Sequence, residues 1–519
     1  MKWAFFVSKI HLFNIFVINQ TYTPCNYLLS QKPQIMKRSF FLILLSAISS
    51  LGIAQSKNRT SKPNIIIINM DDMGYGDTEP YGMTGVNTPH FNQIAEEGMR
   101  LTNFNAGQAI CTASRAALLT GCYPNRIGMS GVLLPGAKHA LNPNEETIAS
   151  LLKKNGYKTA NYGKWHLGNE LPYWPTNYGF DEFFGIPYSH DVWPIDYDGY
   201  SKVTDAKDMR SSFPPLPLIN NTTIIDTIEN IKDASKLTTL FTEKAIGFIQ
   251  KNKKNPFFLY LTHPLPHAPL AVSDKFKGKS DLGLFGDVIM ELDWSIGEII
   301  STLDKEGLAK NTVLIVTSDN GPWLVFGDNA GSSGGFREGK STTWEGGTRV
   351  PFLIRWPGKI KNGTVNSSLM TNMDLLPTIA AITGASLPKN QIDGLNFLPL
   401  LTGKTTKGPR EVFYYYFGVG SNNLEAIRYK HWKLVFPHKG TTYNKKLQGK
   451  DGYRGEGASA EFPMALYNLA HDPGEVRDVQ QLYPEIVAEI QKIAETARED
   501  LGDDLNHKIG KNIRKPATY

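Results

Sequence analysis

Two acidic pairs carry the first hint of chemistry. Asp71-Asp72 closes the β-branched run 63–70, and Asp319-Asn320 closes the run 312–317. Four hard oxygen donors at two strand ends suit Ca2+ or Mg2+ rather than zinc. Adjacent carboxylates at a buried strand end repel one another unless a cation neutralises them. Basic groups stand in other short stretches: Lys164 and His166 in GKWHLG, His267 in HPLPHAP, Lys340 in GKSTTWEGG, and Arg115 in CTASRAALLTG. Singly, each reads as a surface lysine or a core histidine. Together they would set cations around an acidic metal site, as a tetrahedral or trigonal-bipyramidal oxyanion requires. A helix opening at Cys111 would turn its N-terminal dipole toward the same anion.

Cys111 itself has three readings. It could pair with Cys122, the other cysteine outside residues 1–54, if the compartment is oxidising. It could be a thiolate activated by Arg115, one helical turn away. It could also be a precursor, since a hard cation nearby favours an oxygen nucleophile over sulfur.

These groups need a scaffold that gathers strand ends. Strands are expected at 63–70, 158–162, 257–261, 312–317 and 350–355, with helices at 88–97, 145–155, 237–251 and 288–306 between them. Alternation of this kind predicts an α/β fold, a large mostly parallel sheet with helices on both faces. Sites in such sheets form at the carboxyl ends of strands. After about residue 405 the pattern changes to short strands at 412–417, 426–429, 432–436 and 465–469, then a helix at 484–499. This predicts a small C-terminal antiparallel sheet with one helix. Residues 437–463, rich in Gly, Lys and Tyr, read as a long loop.

A chain of 519 residues, 41% hydrophobic and 20% charged, fits a soluble globular protein with one large and one smaller domain. The expected division is 55–405 and 406–519. Met36-Lys37-Arg38 followed by the apolar run 40–54 reads as a signal peptide over 36–54, cut after Ala54, so export to the periplasm or the medium is expected. The run is short for a membrane span. Residues 1–35 read as a mis-assigned start. Removing the five basic residues of 1–54 (Lys2, Lys9, Lys32, Lys37, Arg38) takes the formal net charge from +6 to +1, which gives no global signal for nucleic acid or membrane.

The motifs CTASRAALLTG, NMDDMGYGD, GKWHLG, GIPYSHD, TSDNG and GKSTTWEGG, with the closing AIRYKHWKLVF and LYNLAHDPGE, resemble the type I sulfatase family. That family includes arylsulfatases and N-acetylgalactosamine-6-sulfatases and has the alkaline-phosphatase-like fold. The resemblance runs from about Asn64 to about Val479. It implies sulfuric-ester hydrolysis by Cys111 oxidised to formylglycine (3-oxoalanine), whose hydrate is the nucleophile. It implies that Asp71, Asp72, Asp319 and Asn320 hold Ca2+, in preference to Mg2+, together with an oxygen of the matured Cys111. Arg115 would hold the diol, and Lys164, Ser189, His267 and Lys340 would bind the sulfate. His267 and Lys340 would help protonate the leaving oxygen, and His166 would deprotonate the second hydroxyl. A maturase would act during biogenesis. The chain has Ala113 where the family usually has proline, and Cys122 where arginine often stands.

Closeness to glycan sulfatases makes a sulfated carbohydrate the expected substrate. His190, Asp191 and Trp193, just after Ser189, are candidate sugar contacts, Trp193 by stacking. Two other readings stay open: a phosphate or phosphonate ester hydrolase of the same fold, and a sulfated-glycan binder without turnover.

Overall fold

The computed structural model describes residues 62–444 and 448–519. The expected start region, the signal peptide 36–54 and Cys25 lie outside them. Among the described residues no helix is long and apolar enough to cross a membrane.

Asn64–Met70 is buried along its whole length, which explains its run of isoleucines. Ile66 and Ile68 enter one hydrophobic core and Ile65 and Ile67 another on the opposite face, the period-2 alternation of a strand covered on both sides. Five parallel strands form the sheet's centre, in the order Thr312–Ser318, Asn64–Met70, Phe257–Thr262, Lys158–Lys164 and Glu182–Ile186. Helices Pro89–Glu97, Leu237–Asn252 and Gly283–Lys305 pack on one face, and Cys111–Thr120, Ile148–Lys154 and Leu375–Thr383 on the other.

The periphery departs from a parallel sheet. Arg349–Arg355 runs antiparallel to both Thr312–Ser318 and Met99–Asn105, and Leu216–Asn220 and Thr223–Ile228 add an antiparallel hairpin at the far edge. Met99–Asn105 and Thr223–Ile228 escape the sequence pattern because polar residues interrupt them, and Glu182–Ile186 and Leu216–Asn220 because they are short and broken by Gly185 and Pro217.

Val412–Phe417, Asn423–Tyr429, Trp432–Val435 and Ala465–Asn468 form the expected antiparallel sheet. Helix Pro484–Leu501 covers it with Ile490, Ala494, Ala497 and Leu501. The long loop expected at 437–463 is corrected: His438–Thr442 pairs with Ala458–Phe462 as an antiparallel hairpin. Its strands are short and carry little apolar alternation, so pairing with each other rather than pattern defines them.

Candidate active site

Every central strand ends at one edge, and the chain that follows each delivers a polar side chain there. Met70 leads to Asp71-Asp72, Ser318 to Asp319-Asn320, Lys164 to His166, Ile186 to Ser189, and Thr262 to His267. Gly163 permits one of these approaches. A Cβ there would lie 1.9 Å from the Thr262 carbonyl oxygen, so only glycine lets the two backbones come this close. Asp72 and His166 hold positive φ, 63° in each case, at a cost of about 1–2 kcal/mol each. The surrounding packing holds that strain, and it aims both side chains into the site.

Arg115 projects from Cys111–Thr120 one turn after Cys111, on a helix whose residues are all buried. Its Nε donates to Asp319 Oδ2 at 2.9 Å and its Nη1 to the Lys164 carbonyl at 3.0 Å. Lys164 Nζ donates to Asp71 Oδ2 at 2.5 Å, and Lys340 Nζ to Asp72 Oδ2 at 2.8 Å. His267 Nε2 stands 3.4 Å from the same Asp72 oxygen. Asn320 Nδ2 donates to Asp72 Oδ1 at 2.7 Å, and the Asp72 amide to Asp319 Oδ1 at 3.2 Å. The helix has no side-chain cap and no acidic residue in its first turn, so its N-terminal field acts on this cluster uncompensated.

Electrostatics divide the carboxylates. Burial would raise Asp71, but Lys164, His267, Arg115 and Lys340 overcome it and hold Asp71 well below the usual carboxylate range. Burial, partly offset by Lys340, and then repulsion from Asp71 push Asp72 up to about 6. Burial and Asp71 push Asp319 up to about 7. A cation would relieve both. Asp71 Oδ1 and Asn320 Oδ1 are buried without a hydrogen-bond partner, and ligand atoms of Asp71, Asp72 and His267 lie within 4.8 Å of one another. Unpartnered oxygens in a carboxylate-rich set fit a hard cation such as Ca2+.

A cavity of about 140 Å3 lies above this cluster, lined by Cys111, His166, Ser189, Asp191, His267, Lys340 and Trp323 among others. Ser189 Oγ, Asp191 Oδ1 and His166 Nδ1 are buried without partners, donors and acceptors free for a ligand. His166 Nε2 meets the Leu133 carbonyl at 2.8 Å. Burial, with Lys164, keeps this imidazole well below the ordinary histidine range, and burial with Lys340 brings His267 down to about 4. Both are therefore neutral near pH 7.

Cys111 is a free thiol, and Cys122 is another. The ten-residue helix between them spans about 15 Å, which excludes the disulfide. Burial pushes the Cys111 thiol up, against an activated thiolate.

The structure thus brings Asp71, Asp72, Cys111, Arg115, Lys164, His166, Ser189, Asp191, His267, Asp319, Asn320 and Lys340 to one place. Trp193 is a correction. It is 1% exposed and lies in the hydrophobic core, because its loop turns it inward beside His190 (ring centroids 6.5 Å apart). His190 is likewise buried, with Nε2 meeting the Pro269 carbonyl at 2.8 Å. The aromatic wall of the cavity is Trp323, which sequence reasoning missed. Its ring lies 4.5 Å from Lys340 Nζ and 5.2 Å from the His267 ring. Its position three residues after Asn320 was the available signal. Val132 and Leu134, also lining the cavity, carry none.

Comparison with known proteins gives three family matches: Sulfatase over residues 63–385, N-sulphoglucosamine sulphohydrolase, C-terminal, over 335–447, and C-terminal region of aryl-sulfatase over 408–517. The chain is 36% identical to human Arylsulfatase A over 440 residues, covering 83% of this chain and 85% of that protein. It is 35% identical to mouse N-acetylgalactosamine-6-sulfatase over 462 residues, 83% of this chain and 84% of that one. Among solved structures, PsFucS1 sulfatase from Pseudoalteromonas sp. superposes with a TM-score of 0.75 at 29% identity, covering 89% of this chain and 95% of that one.

Proposed function

The chain belongs to the sulfatase family, with its alkaline-phosphatase-like fold and its sulfuric-ester hydrolysis, and from that premise we propose that it removes sulfate from a sulfated carbohydrate, with Cys111 matured to formylglycine and Ca2+ as cofactor. The observation that carries this reading is the pair of unpartnered buried oxygens, Asp71 Oδ1 and Asn320 Oδ1, beneath a cavity whose wall includes Cys111. Asp71, Asp72, Asp319 and Asn320 would hold the ion. When present, the matured side chain would supply an oxygen nucleophile for sulfur, and Ca2+ would neutralise charge on the ester.

The chain's own groups do the rest. Arg115, fixed by Asp319 and the Lys164 carbonyl, orients the nucleophile-bearing side chain one turn earlier on its helix. Lys164, Lys340 and Ser189 bind the sulfate oxygens, and their buried positions make each contact stronger than it would be in water. Lys340, kept protonated by Asp72 against the cost of burial, carries a proton at Nζ for the leaving oxygen, with His267 beside it. Neutral His166 offers unpartnered Nδ1 to take a proton on the opposite side of the cycle. Among the described residues one cluster has metal-ligand spacing, which favours a single-cation sulfatase over a two-zinc phosphatase.

The sugar is supported by the N-acetylgalactosamine-6-sulfatase relative, whose own substrate is named as a sulfated sugar. Export, with a maturase acting before or during it, completes the proposal. The test is the mass of the tryptic peptide 101–115 from protein made in its native host. An aldehyde or its hydrate at Cys111 supports the mechanism, whereas an unmodified thiol in turnover-competent protein sinks it.

A further inference from the structure

Two cations flank the Trp323 ring, and they are held very differently. Lys340 is buried and paired with Asp72. Arg454 is exposed, with Cζ 5.6 Å from the ring centroid, and among the described residues it makes no ion pair with a carboxylate. Arg210, over the nearby Tyr197 ring at 4.0 Å, shows the contrast. Asp208 and Asp196 hold its guanidinium at 2.6 and 3.2 Å.

Arg454 is not on a free-swinging segment. Gly449 and Gly455 both donate their amides to the Val325 carbonyl at 2.9 Å, which pins the loop against the chain that carries Trp323. The Tyr197 hydroxyl interacts with the same guanidinium. The Tyr197 and Phe326 rings meet at 5.4 Å, and Phe326 and Trp323 at 5.0 Å. Buried Phe326 lies between the partly exposed Trp323 and Tyr197 rings, and Tyr197 also lines a hollow of about 400 Å3 with Tyr200, Asp198 and Asn329.

The cavity is small. At about 140 Å3 it is below the roughly 300 Å3 of sites that enclose drug-sized ligands. It can hold the sulfate and no more than one sugar ring, so the rest of a glycan lies outside it, and a chain that leaves over the partly exposed Trp323 runs toward Arg454. There it meets the partly exposed Trp323 and Tyr197 rings, which suit sugars, and the Arg454 guanidinium, whose internal partner is the neutral Tyr197 hydroxyl rather than a carboxylate.

We infer that Arg454 is a specificity-determining residue that binds a second anionic group, sulfate or carboxylate, on the sugar next to the one bearing the scissile ester. The inference rests on the sulfated-carbohydrate reading above and narrows it to polyanionic glycans.

The test uses matched oligosaccharides that share one scissile sulfate and differ in the neighbouring sugar: neutral, sulfated, or a uronate. kcat/KM is measured for the wild type, Arg454→Gln and Arg454→Lys. The wild type should prefer at least one anionic neighbour about five- to tenfold, with the preference shrinking in salt. The sulfated and uronate arms identify which anion is read. Arg454→Gln should lose the preference, mainly through KM, and Arg454→Lys should keep part of it. Equal loss on all three substrates, or an unaltered preference, overturns the proposal. Sulfate release from the neutral substrate tests the sulfatase reading separately. If no substrate turns over, calorimetric binding of the same oligosaccharides still decides whether Arg454 discriminates among them.

Discussion

Arg115 Nε lies 2.9 Å from Asp319 Oδ2, with both side chains buried and 204 positions apart in the sequence. One guanidinium thereby joins the helix that begins at Cys111, the loop that follows Thr312–Ser318, and, through the Lys164 carbonyl at 3.0 Å, a third strand end. Three parts of the proposed centre share this one side chain.

Removing Arg115 should therefore cost stability as well as activity. Arg115→Ala leaves Asp319 buried without its cation, and breaking a buried pair costs about 3–5 kcal/mol. Urea unfolding of metal-free protein should show that loss. Arg115→Lys, which keeps charge without the forked geometry, should recover only part of it. Unfolding curves that coincide with the wild type would refute the bridging role.

Ca2+ binding should strengthen with pH. Unfolded Asp72 and Asp319 titrate near 3.8, whereas the metal-free fold raises them to about 6 and about 7. The fold thus binds more protons than the unfolded chain in that interval. The stability this confers is full below pH 3.8 and is lost as pH rises through 6 to 7. Ca2+ needs both groups ionised, so the Tm increment on adding it should grow from about pH 5 to about pH 7.5. A constant increment over that range would speak against these two aspartates as ligands.

His166 should govern turnover more than binding. Its unpartnered Nδ1 and lowered basicity make it a neutral proton acceptor. His166→Gln should lower kcat by about 100- to 10,000-fold with a much smaller effect on KM. A variant whose loss falls mainly in KM would mark His166 as a binding group instead.

The two tryptophans should separate cleanly. Trp323→Ala removes the cavity wall beside His267 and Lys340 and should raise KM for a sulfated sugar about tenfold. Trp193→Ala deletes a fully buried ring and should cost about 3–5 kcal/mol of stability. The reverse pattern would restore Trp193 as the sugar platform.

Much of the molecule is legible in its sequence. The isoleucine run 65–68 reads as a strand buried on both faces, inside a parallel sheet, and polar residues immediately after such runs fall at its carboxyl edge. That placed Asp71, Asp72, Asp319 and Asn320 together, and the motif resemblance supplied Cys111, Arg115, Lys164, His166, His267 and Lys340. The interrupted strand Met99–Asn105 and the hairpin His438–Thr442 with Ala458–Phe462 were not legible, since neither carries enough apolar periodicity.

The sequence by itself determined which residue types meet, because strand ends converge through local pattern alone. Tertiary structure decided which side of each loop faces the cavity. Trp193 and Trp323 both lie a few residues past a site residue, and nothing local distinguishes them. Trp193 turns into the core beside His190 while Trp323 lies against His267 and Lys340. That choice comes from the tertiary packing around each loop rather than from its local pattern, and packing between segments more than a hundred residues apart sets Arg454 over Trp323.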